Sequence, residues 1–184
     1  MIIGLAGSFG AGKGVVVEYL VSQKKFTHYS ASGFLTEEIV RRELPVNRDS
    51  MIEVANQLRG QHGPAYIIQT LYDRAIENGG DAIIESLRAV AEVEKIQELG
   101  GTVIGLDAQE RLRFDRSVAR GSNKDDVTYE KWREQEQRES NVTDPTKQNI
   151  FGALEKANYT IYNDGTLEEL YAQVDAVLEQ LTHR

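Results

Sequence analysis

The chain has 184 residues, of which 40% are hydrophobic and 27% are charged, so its composition is that of a globular protein with a buried core. It contains no cysteine, which excludes disulfides, thiolate metal sites and thiol nucleophiles. Its formal net charge of −8 disfavours binding to extended nucleic acids. The first apolar segment has no basic leader and is soon interrupted by glycine. We therefore expect neither a signal peptide nor a membrane span, and we expect the protein to be cytoplasmic.

Five short apolar segments alternate with helical patterns along the chain, which is typical of parallel strands covered by helices on both faces. The predicted strands are residues 2–6, 27–31, 82–86, 102–107 and 159–163. A long helical pattern separates the second strand from the third, and a polar, charged segment precedes the fifth. The sequence therefore predicts one α/β domain with two insertions.

A glycine-rich segment follows the first predicted strand directly and opens a helix. It reads Gly7-Ser8-Phe9-Gly10-Ala11-Gly12-Lys13-Gly14, which is the G-x4-G-K pattern of a P-loop, or Walker A motif. Backbone N–H groups of such a loop converge on phosphates, the helix N-terminus favours the anion, and the lysine reaches the outer phosphates. The alternative is a glycine turn that only joins strand to helix. The candidate phosphate-binding residues are Gly7, Phe9, Gly10, Ala11, Gly12, Lys13, Gly14 and Val15.

Glycine after the lysine, instead of serine or threonine, resembles adenylate kinase and the related nucleoside monophosphate kinases. The rest of the chain is most similar to adenylate-kinase-like and dephospho-coenzyme-A-kinase-like NTPases. The similar segments are residues 84–88, 92–94, 113–116, 144–149 and 163–170. The resemblance implies a three-layer α/β/α P-loop NTPase fold with a five-stranded parallel sheet, and ATP with Mg²⁺ as cofactors. It also implies one domain with a core at 1–30, 76–120 and 150–184, an acceptor-binding insertion near 31–75 and a lid near 121–149.

The same resemblance assigns roles to residues at the end of the third strand and in the insertion. Glu85 would hold a magnesium-bound water in place of the Asp of an Asp-Gly pair, and here Glu-Ser replaces that pair. Arg88 would bind the phosphate of the acceptor. Ser32, Arg41 and Arg59 would line the acceptor site together with Glu85 and Arg88. For each charged residue, an ordinary solvated position is the alternative.

An arginine-rich helix is predicted after the fourth strand, behind an Asp107-x-x-Glu110 capping box. Its arginines at 113, 116 and 120 share one face, which is unfavourable unless acids or a ligand compensate. By resemblance, Arg116 and Arg120 clamp the transferring phosphoryl group. The alternative is ion pairing with nearby acids, namely Glu110, Asp115, Asp125 and Asp126. The stretch from 126 to 149, which contains Trp132, has no apolar stripe and suits a mobile cover better than a core element.

The last helix is predicted behind a Thr166-x-x-Glu169 capping box, and by resemblance the preceding loop, with Asp164 and Gly165, lies against adenine. These residues together predict ATP-dependent phosphoryl transfer to a small phosphate-bearing or hydroxyl acceptor. A nucleoside or deoxynucleoside monophosphate is favoured, and dephospho-coenzyme A is the runner-up. A nucleotide-hydrolysing switch or assembly factor that acts through a protein partner is the alternative of another class. We expect a monomer or homodimer that binds neither a membrane nor extended nucleic acid.

Overall fold

The computed structural model describes residues 1–119, 128–140 and 147–183, without the side chain of Arg48. The predicted lid arginine Arg120 and parts of the predicted lid lie outside these residues. Within them, the five strands are β1 (Ile2–Gly7), β2 (Thr27–Ser30), β3 (Ala82–Leu87), β4 (Thr102–Asp107) and β5 (Tyr159–Tyr162). All pair in parallel, in the order β2-β3-β1-β4-β5. The five-stranded parallel sheet predicted from the sequence is confirmed.

The helices described lie between the strands or after them. They are α1 (Lys13–Lys24), α2 (Ala31–Arg41), α3 (Arg48–His62), α4 (Tyr66–Asn78), α5 (Val90–Glu98), α6 (Glu110–Ala119), α7 (Tyr129–Arg138), α8 (Ile150–Glu155) and α9 (Leu167–Thr182). The long insertion after β2 thus consists of α2, α3 and most of α4.

Successive side chains of a strand point to opposite faces, and both faces of this sheet are covered. On one face, Ile3 and Leu5 of β1 pack with apolar residues of α1 and α9. On the other face, Ile2 and Ala6 pack with residues of α2, α3, α4, α5 and α8. Residues of β1 are buried on both sides, and the loop that follows β1 therefore emerges at the centre of the sheet edge.

The two predicted capping boxes have different outcomes. The Thr166 hydroxyl accepts the N–H of Glu169 and the Glu169 carboxylate accepts the N–H of Thr166, so the box that starts α9 is confirmed. The box at Asp107 is wrong, because Asp107 is the last residue of β4 and α6 begins only at Glu110. Its carboxylate contacts the P-loop instead, as described below.

The expectation that the stretch from 126 to 149 contributes no core element is wrong for Trp132 on α7. Trp132 is only 1% exposed. Its ring packs against the rings of Phe9, Phe114 and Tyr129. Two of these aromatic partners, Phe9 and Phe114, come from the P-loop and α6, which are distant in sequence, and only Tyr129 belongs to α7. Because most of the partners lie on other elements, α7 itself shows no apolar stripe. No helix of the described chain is both long and apolar enough to cross a bilayer.

Candidate nucleotide and acceptor site

The segment between β1 and α1 forms a turn that only glycine fits at two positions. Gly10 and Gly12 have positive φ angles of 71° and 100°, a region that residues with a Cβ rarely adopt. A Cβ on Gly10 would overlap the carbonyl oxygen of Arg113, and one on Gly12 would lie 2.5 Å from Asn163 Nδ2. By contrast, a Cβ on Gly14 would meet nothing within 4 Å. The open space at Gly14 lies at the N-terminus of α1, where an anion is favoured.

Lys13 lies at the end of this loop, and its side chain turns back over it. Its Nζ donates to the carbonyl oxygens of Gly7 and Ser8, both at 2.8 Å. Burial and, to a lesser extent, the positive charge of Arg88 lower the pKa of Lys13 to about 8, although the charges of Glu85 and Glu136 act in the opposite direction. The ammonium is thus held at the loop in an environment that lacks full charge compensation, and an anion would supply that compensation.

Glu85 and Ser86 end β3 beside the P-loop strand. Glu85 lies next to Leu5 in the sheet, and the register then shifts, because Ser86 adopts a left-handed conformation with φ 77°. Glycine adopts that conformation more readily than serine does, so the backbone at Ser86 is strained. Glu85 Oε2 lies 2.9 Å from Nε2 of His28 on β2. The hydrogen bond to His28 lowers the pKa of Glu85, and the charge of Lys13 lowers it further.

Arg88 follows β3 and lies close enough to Lys13 to affect its pKa. Its Nη1 donates to Glu139 at 2.7 Å, where α7 ends. The backbone N–H groups of Arg88 and Ala89 both donate to the carboxylate of Glu92, at 2.8 and 3.2 Å. Glu92 is 2% exposed, so this buried carboxylate fixes the turn that carries Arg88.

The three residues predicted to line the acceptor site from the insertion either pair with carboxylates or are exposed to solvent. Arg59 pairs with Glu92 at 3.2 Å, so it supports the Arg88 turn from α3. The Arg41 side chain is 71% exposed and pairs with Glu38 on its own helix. Ser32 is exposed in the first turn of α2. The structure brings Glu85 and Arg88 together near Lys13, while Arg41 lies on a solvated helix face.

Residues of the loop between β5 and α9 connect the P-loop to α6. Asn163 Nδ2 donates to the carbonyl of Ala11 at 2.9 Å, and the carbonyl of Asn163 accepts from Arg116 Nη1 at 2.7 Å. Asp164 accepts the N–H of Gln109 at 2.7 Å, just before α6. Gly165 is packed against Glu169, so a side chain there would overlap that carboxylate. Arg116 therefore lies at the predicted adenine loop and is bonded to its backbone.

Sequence reasoning missed several residues that hold the P-loop. Asn163 is not among the candidate site residues predicted from the sequence, although it is 5% exposed and bonds to Ala11. Asp107 Oδ1 accepts from the hydroxyl of the fully buried Ser8 at 2.5 Å and lies 3.3 Å from Arg113 Nε. Arg113 and Glu136 form a buried ion pair beside Phe9. The signal for Asp107 was its place at the end of a strand next to β1; no sequence pattern marked Glu136.

The residues present fit a bound nucleoside triphosphate. Gly14 faces open space at the N-terminus of α1, and Lys13 provides a cation at the loop. Because Gly14 and Val15 have no hydroxyl, the loop lacks the usual protein ligand to magnesium. Among the described residues, no three His, Asp or Glu side chains converge as a metal cluster. Mg²⁺ would therefore be held mainly by phosphate oxygens and water, with Glu85 as the nearest candidate acid, which is the usual way this ion binds nucleotides.

Solved structures with the same fold include TT1252 from Thermus thermophilus, with a TM-score of 0.67, 18% identity, and coverage of 98% of this chain and 97% of that chain. Shikimate kinase from Aquifex aeolicus has a TM-score of 0.58 at 15% identity, and the match covers 99% of this chain and 98% of that chain. A gluconokinase from Sinorhizobium meliloti has a TM-score of 0.58 at 15% identity and covers 97% and 91%. These likenesses confirm a kinase-like P-loop fold.

Sequence relatives carry the name UPF0200 protein. A UPF0200 protein of Hyperthermus butylicus is 27% identical over 184 residues, which cover 99% of this chain and 95% of the relative. A UPF0200 protein of Aeropyrum pernix is 29% identical over 173 residues, with coverage of 92% and 88%. A family model described as an AAA domain matches residues 3–144, which include β1, the P-loop, β3 and β4. This chain therefore belongs to that AAA domain family of P-loop NTPases.

Proposed function

We propose that this protein transfers the γ-phosphoryl group of ATP, in the presence of Mg²⁺, to a small acceptor. The observation that carries the proposal is the position of Lys13, Glu85 and Arg88. All three lie at one edge of a parallel sheet, where α/β proteins bind their ligands. Phosphoryl transfer needs little more than positioning and charge stabilisation at such an edge, so a covalent intermediate is not required. The bound magnesium ion would neutralise phosphate charge there.

Each of these side chains supports one task. The P-loop amides and Lys13 would hold the donor phosphates, and Arg88 would hold the acceptor or stabilise charge during transfer. Arg88 is paired with Glu139 in this structure, so an anionic acceptor would compete for its guanidinium. Arg116 is bonded to the loop at Asn163, where it supports the predicted adenine site. It would clamp the phosphoryl group only after its side chain had moved away from this loop.

A nucleoside monophosphate remains a candidate acceptor, and dephospho-coenzyme A an alternative. Arg41 and Arg59, which were expected on the acceptor phosphate, are occupied by Glu38 and Glu92. This observation favours a second acceptor class, a small molecule that accepts through a hydroxyl group. Glu85 is a carboxylate that a hydroxyl could donate to, and His28 orients it. Structural neighbours include proteins named shikimate kinase and gluconokinase, after small molecules that carry hydroxyl groups.

A screen for acceptor-dependent ADP release tests the proposal. ATP and Mg²⁺ are supplied with each nucleoside and deoxynucleoside monophosphate, dephospho-coenzyme A, shikimate or gluconate. We expect one class to raise ADP release well above basal hydrolysis. Arg88→Ala should then weaken transfer by about 10²-fold while ATP affinity changes little, and Glu85→Gln should impair it too. If no acceptor raises ADP release, the switch that acts through a protein partner becomes the better explanation.

A further inference from the structure

Phe9, in the middle of the P-loop, has both of its peptide polar groups bonded to one buried ion pair. Its N–H donates to Glu136 Oε1 at 2.9 Å, and its carbonyl accepts from Arg113 Nη1 at 3.1 Å. Arg113 Nη1 also donates to Glu136 Oε1. The two side chains are 5% and 3% exposed. They come from α6 and α7, so both helices contact the backbone of the phosphate loop through charged groups.

Neighbouring contacts fix the same part of the loop. Gly10 follows Phe9 and packs on the carbonyl of Arg113, so closely that a Cβ would overlap it. Arg113 Nε donates to the carbonyl of Ala108 at 2.9 Å, which anchors the guanidinium to the end of β4. The Phe9 ring meets the edge of Trp132, with ring centroids 6.4 Å apart, and Trp132 lies 5.2 Å from the Arg113 guanidinium carbon. Residues 9 and 10 are thus held on both sides.

Stability alone does not explain a buried ion pair at this place. Removing two charges from water is costly, and apolar residues of similar volume often replace such a pair without loss of stability. A charged acceptor, however, binds a backbone N–H roughly twice as strongly as a neutral one. That stronger bond orients the peptide of Phe9 and, through it, the turn that presents the following N–H groups to phosphate.

We propose that Arg113 and Glu136 are positioning residues that hold the P-loop in its phosphate-binding conformation. In this view α7 is a fixed wall of the donor site and not part of a lid that swings away, in contrast to the lid predicted for residues 121–149. The inference rests on the proposed function in one respect, which is that the loop binds a nucleotide. The amide of Phe9 can also be observed without any nucleotide.

The test compares three proteins with the wild type. Arg113→Met/Glu136→Met removes both charges at similar volume, and Glu136→Gln keeps an oxygen for the Phe9 N–H. Arg138→Met/Glu134→Met is the matched control, because this second Arg–Glu pair of α7 is exposed, with side chains 72% and 59% accessible. The affinity for Mg·ADP is measured by calorimetry, amide exchange is measured in the absence of nucleotide, and melting curves report folding.

We expect the double variant at 113 and 136 to stay folded and to bind ADP about tenfold more weakly or worse, with faster exchange of the Phe9 amide. Glu136→Gln should keep ADP affinity within about threefold of the wild type, and its Phe9 amide should exchange faster because the neutral acceptor is weaker. The control should match the wild type in every measurement.

Wild-type ADP affinity and Phe9 exchange in the folded double variant would overturn the inference. If that variant does not fold, unchanged Phe9 exchange in Glu136→Gln would overturn it as well. A wild-type protein that fails to bind ADP would refute the proposed function, whereas the exchange of the Phe9 amide would still decide the role of the ion pair.

Discussion

Nucleotide affinity should fall as the pH rises above about 8, because Lys13 loses its proton there. Burial lowers the pKa of Lys13 from the ordinary value of 10.5 to about 8 in the free protein. Nucleotide phosphates beside the ammonium would stabilise its charged form and raise this pKa again. Binding is then linked to proton uptake, so affinity is highest below the free pKa and decreases as pH rises through it.

The size of the effect follows from the fraction of Lys13 that carries a proton. With a pKa of about 8, that fraction is about 0.9 at pH ~7 and about 0.1 at pH ~9. If only the charged form binds well, affinity falls about tenfold over this range, which equals about 1.4 kcal/mol. The nucleotide contributes little to this change, because a phosphate monoester with a pKa near 6 is already ionised.

Calorimetric titration with Mg·ADP at a series of pH values measures this dependence directly. Lys13→Arg is the matched control, because a guanidinium stays charged throughout the range and its affinity should vary little with pH. Lys13→Met should bind weakly at every pH. A flat wild-type profile, or a parallel decline in Lys13→Arg, would show that Lys13 is not the group that titrates.

The same pKa has a consequence for the free protein. The folded pKa lies below the unfolded one, so between about pH 8 and 10.5 the unfolded chain binds more protons than the folded chain. The titration of Lys13 therefore makes the nucleotide-free protein more stable as the pH rises through that window. At neutral pH the charged, partly buried ammonium opposes folding, and Lys13→Met should raise the melting temperature while it abolishes transfer.

Three further predictions concern individual residues. Ser86→Gly should be neutral or stabilising by up to ~1 kcal/mol in thermal melts, because the relief of backbone strain at this left-handed residue equals or exceeds the entropic cost of ordering a glycine. A lower melting temperature would contradict the strain argument. Asn163→Ala should cost ~1–3 kcal/mol of unfolding free energy and weaken ADP binding, because the buried carbonyl of Ala11 loses its donor; unchanged stability and affinity would count against this role. Gly14→Ser should fold normally, because its Cβ meets nothing within 4 Å, and it should lower the Mg²⁺ concentration needed for nucleotide binding; an unfolded variant would refute the open-space argument.

Much of the fold was predictable because its signals are local. Each strand is a short apolar run, and the P-loop combines a strand, a glycine turn and a helix start within a few residues of one another. The Thr166 box also depends only on residues three positions apart. Such patterns do not need tertiary contacts to be recognised. The Asp107 box had the same spacing, but α6 begins only at Glu110, and the Asp107 carboxylate contacts Ser8 and Arg113 instead of capping a helix.

The sequence by itself thus determined a parallel α/β fold, the phosphate loop and the candidates Glu85 and Arg88 beside it. Only the tertiary structure decided which charged residues stay available for ligands. The sequence does not distinguish Arg59 and Arg113 from Arg88. Buried carboxylates of other helices bond to Arg59 and Arg113, whereas Arg88 pairs with Glu139, which is partly exposed. The free energy of a charge depends on the partners that folding brings to it, and those partners lie tens of positions away in the chain. The support of the P-loop by α6 and α7 could therefore be identified only once Phe9, Arg113 and Glu136 were seen together.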